Sequence, residues 1–241
     1  MVLGDPTIRF AECESTHKYM HANFENLQAG TVVIADYQSG GTGRHNRSWI
    51  APKGKNLSFN ILLPTDNLQA KFYAPVTQVA AITLAQILRK NGINATVKWP
   101  NDILVEKKKI CGIISELLGV GRKAISLGIG LNVNTPAEDL LGIDRPVTSM
   151  FIESSVEWNR DELLAEFLTD FAKNFERLVR DGLSPFIEEW SRMGNFVGVK
   201  ARLVEGSLSL EGVIESVQID GSLLFKTADG LKNIWSGDLL L

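Results

Sequence analysis

"ATVKWPNDILVEKKKICGIISELLG", Ala95 to Gly119, is followed almost at once by "RKAISLGIGLNVN", Arg122 to Asn134. The two stretches read as three or four strands rich in Val, Ile and Leu, separated by only a few residues each. A parallel crossover needs a dozen residues or more, so connections this short require neighbouring strands to run antiparallel. Pro100 with Asn101 and Asp102 makes a tight turn, with Lys98 and Trp99 ending the strand before it. The Lys107–Lys109 run reads as a solvated turn.

Upstream, "FAECESTHKYMHANFENLQAG" predicts a short strand and then a helix, with Ser15 or Thr16 as its cap and Gly30 as its stop. "TVVIADYQ" and "NLSFNILLP" read as two further strands, the second ending at Pro64. Between Phe72 and Leu88 apolar residues recur at helical spacing, and Gly92 closes that helix. Downstream, Leu164, Phe167, Leu168, Phe171, Phe175 and Leu178 share one face of a helix over 161–179, and "SPFIEEWSRM" predicts another. From Val197 onward the pattern changes to short alternating segments broken by Asp220-Gly221 and Asp229-Gly230 turns. The expected architecture is α+β: a mixed, largely antiparallel sheet flanked by helices over 1–194, with a small β-barrel over 195–241.

Composition narrows the function. The 241 residues are 44% hydrophobic, enough for a real core, and the net charge of -3 argues against a wholly basic nucleic-acid binder, so any positive site must be local. Cys13 and Cys111 have no metal-ligand spacing and read as free thiols in a reducing cytoplasm. Asp5, Pro6 and Arg9 interrupt the run a signal peptide needs, and no segment reaches membrane-spanning length.

The local positive site is "SGGTGRHNRSW", Ser39 to Trp49, set between two strands. A loop so poor in apolar residues cannot order itself by burial, and its glycines and arginines suit an anionic ligand. It lacks the Gly-Lys-Ser/Thr of a Walker A loop and the spacing of a dinucleotide-binding turn. Taken with the Lys98 turn and the glycine-flanked "GIGLNVN" at Gly128–Asn134, it offers charge, backbone amides and side-chain amides to a phosphate.

"EST" at Glu14–Thr16, the glycine-arginine loop ending in Trp49, "KWPND" at Lys98–Asp102 and "GIGLNVN" occur in this order, ahead of a small terminal barrel. In this the chain resembles a biotin protein ligase (biotin–acetyl-CoA-carboxylase ligase) of the type lacking an N-terminal DNA-binding domain. The resemblance implies a class II synthetase-like fold. It also implies activation of biotin by ATP, with Mg²⁺, to biotinyl-5′-AMP and pyrophosphate, and transfer of biotin to one lysine of a biotin carboxyl carrier domain.

On this resemblance Lys98 bridges the biotin carboxylate and the α-phosphate and is the first catalytic choice, with Arg44 holding the phosphate. Ser15, Thr16, Gln38, Gly41, Gly112 and Gly128 line the biotin site; Arg47, Trp49 and Asn132 serve the nucleotide. Ser15 and Thr16 also read as helix caps, Trp49 as a loop anchor and Asp102 as a turn residue, so metal ligands stay unassigned. Against the family pattern G-R-G-R-x-x-R-x-W, Thr42 replaces the first arginine and His17 replaces an asparagine. The 13 residues before "EST" are too few for a helix-turn-helix, so no DNA binding is expected, nor any membrane partner. Oligomeric state stays open, a homodimer included. Two alternatives remain: a lipoate or octanoate attachment enzyme of the same fold, and a non-catalytic binding module.

Overall fold

In the computed structural model, which describes residues 2–44, 47–194 and 196–240, the short connectors are reversals as expected. β4 (Ala95–Lys98), β5 (Asp102–Val105), β6 (Lys108–Leu118) and β7 (Ala124–Leu131) pair antiparallel in succession. Glu106 and Lys107 form the β5–β6 turn, both at positive φ (48° and 70°), the two-residue geometry that matches strand twist. β1 (Thr7–Phe10) lies parallel to β2 (Val32–Ala35), because α1 (Thr16–Asn23) carries the chain across between them. β3 (Leu57–Pro64) runs antiparallel to β2 and β7, giving a seven-stranded sheet of order β1-β2-β3-β7-β6-β5-β4.

Alternation along the central strands sorts side chains to two faces. Leu57, Phe59, Ile61 and Leu63 of β3 and Ile125, Leu127, Ile129 and Leu131 of β7 join one large core. That core is covered by α2 (Val76–Lys90), which buries twelve of its fifteen residues, and by α4 (Arg160–Asp181) and α5 (Ser184–Gly194). Phe59 packs on Phe167 with centroids 5.8 Å apart, and Phe167 stacks on Phe171 at 5.3 Å. The predicted stripe of α4 faces inward; Asn159 caps its start by accepting from the amides of Asp161 and Glu162, and Gly182 ends it. On the opposite face α1 covers only a small cluster around Met20, Val33, Leu62, Leu118 and Ala124. The rest of that face is open, and β3, β6 and β7 present Asn60, Gly112, Gly128 and Gly130 there.

The first helix is shorter than expected, ending at Asn23 rather than running towards Gly30, with a 3₁₀ turn over Phe24–Asn26. Arg122, in the β6–β7 turn, donates to the carbonyls of Phe24, Glu25 and Leu27 at 2.6–2.9 Å, and so takes the acceptors a continuing helix would use.

β8 (Lys200–Glu205), β9 (Leu208–Val217), β10 (Leu223–Thr227), β11 (Gly230–Ile234) and β12 (Asp238–Leu240) form a second, antiparallel sheet of order β11-β10-β9-β8-β12. The expected boundary at 194/195 falls on Asn195, outside the described residues. Leu203, Ile214, Leu223, Phe225 and Leu239 of this sheet belong to the same buried cluster as the helix layer, so the two sheets share one core. A polar clasp reinforces it: the buried Gly221 carbonyl accepts from Trp99 Nε1 at 2.9 Å and from Gln78 Nε2 at 2.7 Å.

Trp99→Phe removes one of these donors and part of a fully buried ring, and should cost about 2–3 kcal/mol in urea unfolding. Adding Gln78→Met leaves the carbonyl with neither donor, and the double variant should lose more than the sum of the two single changes.

Candidate functional site

The open face of the sheet is the floor of a cavity. Asn60, Gly128 and Ile114 sit in register across β3, β7 and β6, and Ser58, Gly130 and Gly112 form the next row. Glycine is required here by space. A Cβ on Gly128 would lie 2.9 Å from both Asn60 Nδ2 and Ile114 Cγ1, and one on Gly130 would lie 2.4 Å from the Trp49 ring.

One end of the cavity is polar and uncharged. Ser15 caps α1, and Thr16 opens it. The Thr16 amide donates to Gln38 Oε1 at 2.7 Å, and its hydroxyl lies 3.0 Å from that oxygen and 2.8 Å from Asn60 Oδ1. Asn60 Nδ2 reaches Ser126 Oγ at 2.9 Å and His17 Nδ1 at 3.2 Å. His17 Nε2 stands 2.7 Å from Glu116, a carboxylate that can only accept, so Nε2 carries the hydrogen and Nδ1 accepts from Asn60. His17 therefore holds the amide orientation of Asn60, a role that the sequence pattern did not indicate.

The other end is cationic. Arg44, Arg47, Lys109 and Arg145 line it against two carboxylates, Asp102 and Asp238, a local excess of two positive charges on a chain of net charge -3. Arg44 donates to Asn101 Oδ1 at 3.1 Å, and Arg47 pairs with Asp238 of the second sheet. Lys109 Nζ is 2.6 Å from Asp102 Oδ1 and 6.0 Å from the Trp49 ring centroid. Trp49 lies against Gly130 and Gly112, and its Nε1 is buried without an acceptor among the described residues. The loop reaches this position as a hairpin tip: Thr42 and Ser48 form a bridge, and Trp49 N donates to Gly41 O at 2.9 Å. His45 lies outside the described residues.

Of the residues expected at the site, Ser15, Thr16, Gln38, Arg44, Arg47, Trp49, Gly112 and Gly128 line this one cavity. Gly41 lies behind it, where a Cβ would meet the Trp49 carbonyl at 2.8 Å. Asn132 borders an adjoining groove with Trp49, Lys109 and Arg145; its own amide donates to Thr148 O at 2.9 Å. Lys98 is not on the cavity wall. It ends the edge strand β4 and lines an outer shoulder with Pro100 and Leu104.

The expectation for the Lys107–Lys109 run is corrected: Lys107 is in the turn, Lys108 pairs with Glu153 at 2.7 Å, and Lys109 enters the cavity. The cause is a β-bulge. Cys111 pairs with Ile103 but Lys109 pairs with Leu104, so Ile110 is the extra residue and both Ile110 and Cys111 face the core. Strict alternation back from Gly112 would aim Lys108 at the site; the bulge re-aims Lys109 instead. Cys13 and Cys111 are both free thiols; burial pushes both up from the ordinary range, most strongly for the fully enclosed Cys111. Neither is poised as a nucleophile.

Burial pushes the Glu153 carboxyl up, but hydrogen bonds from Lys108 and Thr148 outweigh it and hold the group below the ordinary glutamate range. A lowered folded pKa gives stability that is present above the unfolded value and is lost as pH falls through the folded one. Glu153→Gln should therefore be less stable than the unaltered chain at neutral pH, and the gap in denaturation midpoint should close on acidification. Gly130→Ala should push the Trp49 ring off the sheet, read as stronger acrylamide quenching of tryptophan emission with the fold retained.

The sequence profile of the biotin/lipoate A/B protein ligase family matches residues 9–134, more than half of the chain. The bifunctional ligase/repressor BirA of Bacillus spizizenii is 30% identical over an alignment of 248 residues, which covers all of this chain and 75% of that protein. The biotin–acetyl-CoA-carboxylase ligase of Paracoccus denitrificans is 26% identical over 228 residues, 91% of this chain and 94% of that one. Among solved structures, the biotin protein ligase from Aquifex aeolicus in complex with biotin and ATP superposes with a TM-score of 0.83 at 26% identity, over 97% of each chain. With the sheet order, the glycine floor and the profile in agreement, the chain belongs to the biotin/lipoate A/B protein ligase family.

Proposed function

We propose that the chain is a biotin protein ligase that makes biotinyl-5′-AMP from biotin and ATP and passes biotin to a lysine of a biotin carboxyl carrier domain. The observation that carries this reading is the polarity of the cavity. Its neutral end, built by Ser15, Thr16, Gln38 and Asn60, suits the donors and acceptor of a ureido ring, and its far end collects cations. Biotin has that same order of groups: ureido ring, aliphatic chain, carboxylate. The dithiolane of lipoate offers the Thr16–Gln38–Asn60 set neither a donor nor an acceptor, so an apolar ring would desolvate polar groups without adding a hydrogen bond to them.

The first step forms a bond between a biotin carboxylate oxygen and the α-phosphorus of ATP and breaks the bond to pyrophosphate, so two anions must meet. Lys109, anchored by Asp102 and half-enclosed between Trp49 and Gly112, is the cation placed to reduce their repulsion, with Arg44 and Arg47 beside it. This assigns to Lys109 the role that the family resemblance implied for Lys98. In the second step the carrier amine attacks the acyl carbon, AMP departs, and the amine loses a proton as the amide forms.

Mg²⁺ travels with ATP and needs few protein ligands, because phosphates and water supply the rest. The described residues hold no cluster of three metal-ligating side chains, and Asp102 is the cavity carboxylate that fits as a single ligand. When bound, the ion would neutralise charge on the phosphates. No helix among the described residues is long and apolar enough to cross a membrane, and two free thiols with an ATP-consuming reaction fit the cytoplasm.

Exchange of labelled pyrophosphate into ATP should depend on biotin and not respond to lipoate; exchange driven by lipoate alone would overturn the reading. Lys109→Ala should lower biotin-dependent exchange by about 10²–10³-fold, the usual loss when a group at developing charge is removed. Lys98→Ala should stay within about threefold.

A further inference from the structure

Arg145 lies beyond residue 134, where the family match ends, and the sequence reading gave it no role. It precedes a strap held to β6 by backbone bonds: Lys109 N donates to Pro146 O at 2.9 Å, Thr148 N donates to Lys109 O at 2.9 Å, and Val147 bridges Lys109 in parallel. Farther along, Asn132 Nδ2 holds the Thr148 carbonyl, Ser149 Oγ donates to Thr135 O at 2.6 Å, and the Glu153 carboxyl accepts from Thr148 and Lys108. The strap is therefore fixed directly beside Lys109, and Arg145 is the residue at its leading end.

Arg145 lines the main cavity, the adjoining groove bordered by Trp49, Ile143 and Asn132, and the outer shoulder, as Lys109 and Arg47 do. It stands at the junction of the three. Its neighbours have protein partners: Asp102 for Lys109, Asp238 for Arg47 and Asn101 for Arg44. Arg145 makes no hydrogen bond or ion pair to any described residue, although it is partly buried and Asp102, Asp144 and Asp238 line the same walls. The three walls together carry more arginine and lysine than carboxylate, and a polyanion at the junction would meet Arg145 with its donors unused. Guanidinium also has the planar fork that binds phosphate oxygens two at a time.

We propose that Arg145 binds the phosphate chain of the nucleotide where the biotin cavity opens into the groove. The inference rests on the reading that ATP occupies this groove. It makes Arg145 a substrate-binding residue for ATP and for the phosphate of the adenylate, with no part in holding the ureido ring. It also supplies positive charge on a wall where Thr42, in the facing loop, contributes none.

The test is calorimetric titration of the unaltered chain, Arg145→Ala and Arg145→Lys with an α,β-methylene ATP analogue and Mg²⁺, and separately with biotin. The analogue should bind Arg145→Ala about tenfold more weakly or worse, with Arg145→Lys recovering only part, while biotin affinity and melting temperature stay within about twofold and about two degrees. Equal analogue affinity in Arg145→Ala would overturn the proposal. So would an equal loss of biotin affinity, or an unaltered chain that does not bind the analogue. Biotin-dependent pyrophosphate exchange by the unaltered chain tests the ligase reading separately: loss of analogue affinity in Arg145→Ala without any exchange in the unaltered chain would keep the phosphate site and remove the ligase.

Discussion

A residue in β3, β6 or β7 points either into the helix layer or onto the open face, and the chain uses that restriction for two purposes at once. Ile, Leu and Phe at alternate positions bury against α2 and α4 and supply the apolar area that holds the fold together. Of the positions between them, those that α1 covers add a small apolar cluster, and those it leaves open carry Asn60, Ser126, Gly112, Gly128 and Gly130. A sheet with one rigid, densely packed face can keep the other free of large side chains, so the cavity floor inherits its precision from the core behind it.

The same alternation explains what could be read from sequence alone. Short connectors were enough to indicate the antiparallel β4–β7 meander, and helical spacing placed α2 and α4 close to their true limits. The glycine-arginine loop was legible as a candidate anion site because so polar a segment cannot order itself by burial, whereas "EST" read locally as a helix cap and only the family resemblance pointed it towards the cavity. Lys109 was not legible, since one unpaired residue at Ile110 shifts the phase of the strand, and nothing in "KKKICG" marks which lysine turns inward. The early end of α1 escaped for a different reason: Arg122, almost a hundred positions away, takes the carbonyls that would have continued it. Both misses are tertiary effects acting on locally ambiguous sequence.

The second sheet is more than an appendage to this arrangement. It shares the core through Leu203, Ile214 and Phe225, is clasped through the Gly221 carbonyl, and sends Asp238 to Arg47 on the cavity wall. That carboxylate occupies a guanidinium that an incoming phosphate would also seek. On the proposed function, nucleotide binding and the contact between loop and sheet would draw on one charge and be linked through Arg47.

The cavity wall begins at Ser15 and is completed by Asp238, on the last strand described. Contacts between positions so far apart in the chain form late and slowly, because the intervening segments must be in place before the ends can meet. During synthesis the helix cap, the glycine loop and the strap would be made long before the carboxylate that engages Arg47. A partly synthesised chain would then have the polar end of the cavity without its finished cationic end, and the capacity to handle a reactive acyl phosphate would arise only once β12 has been made and docked.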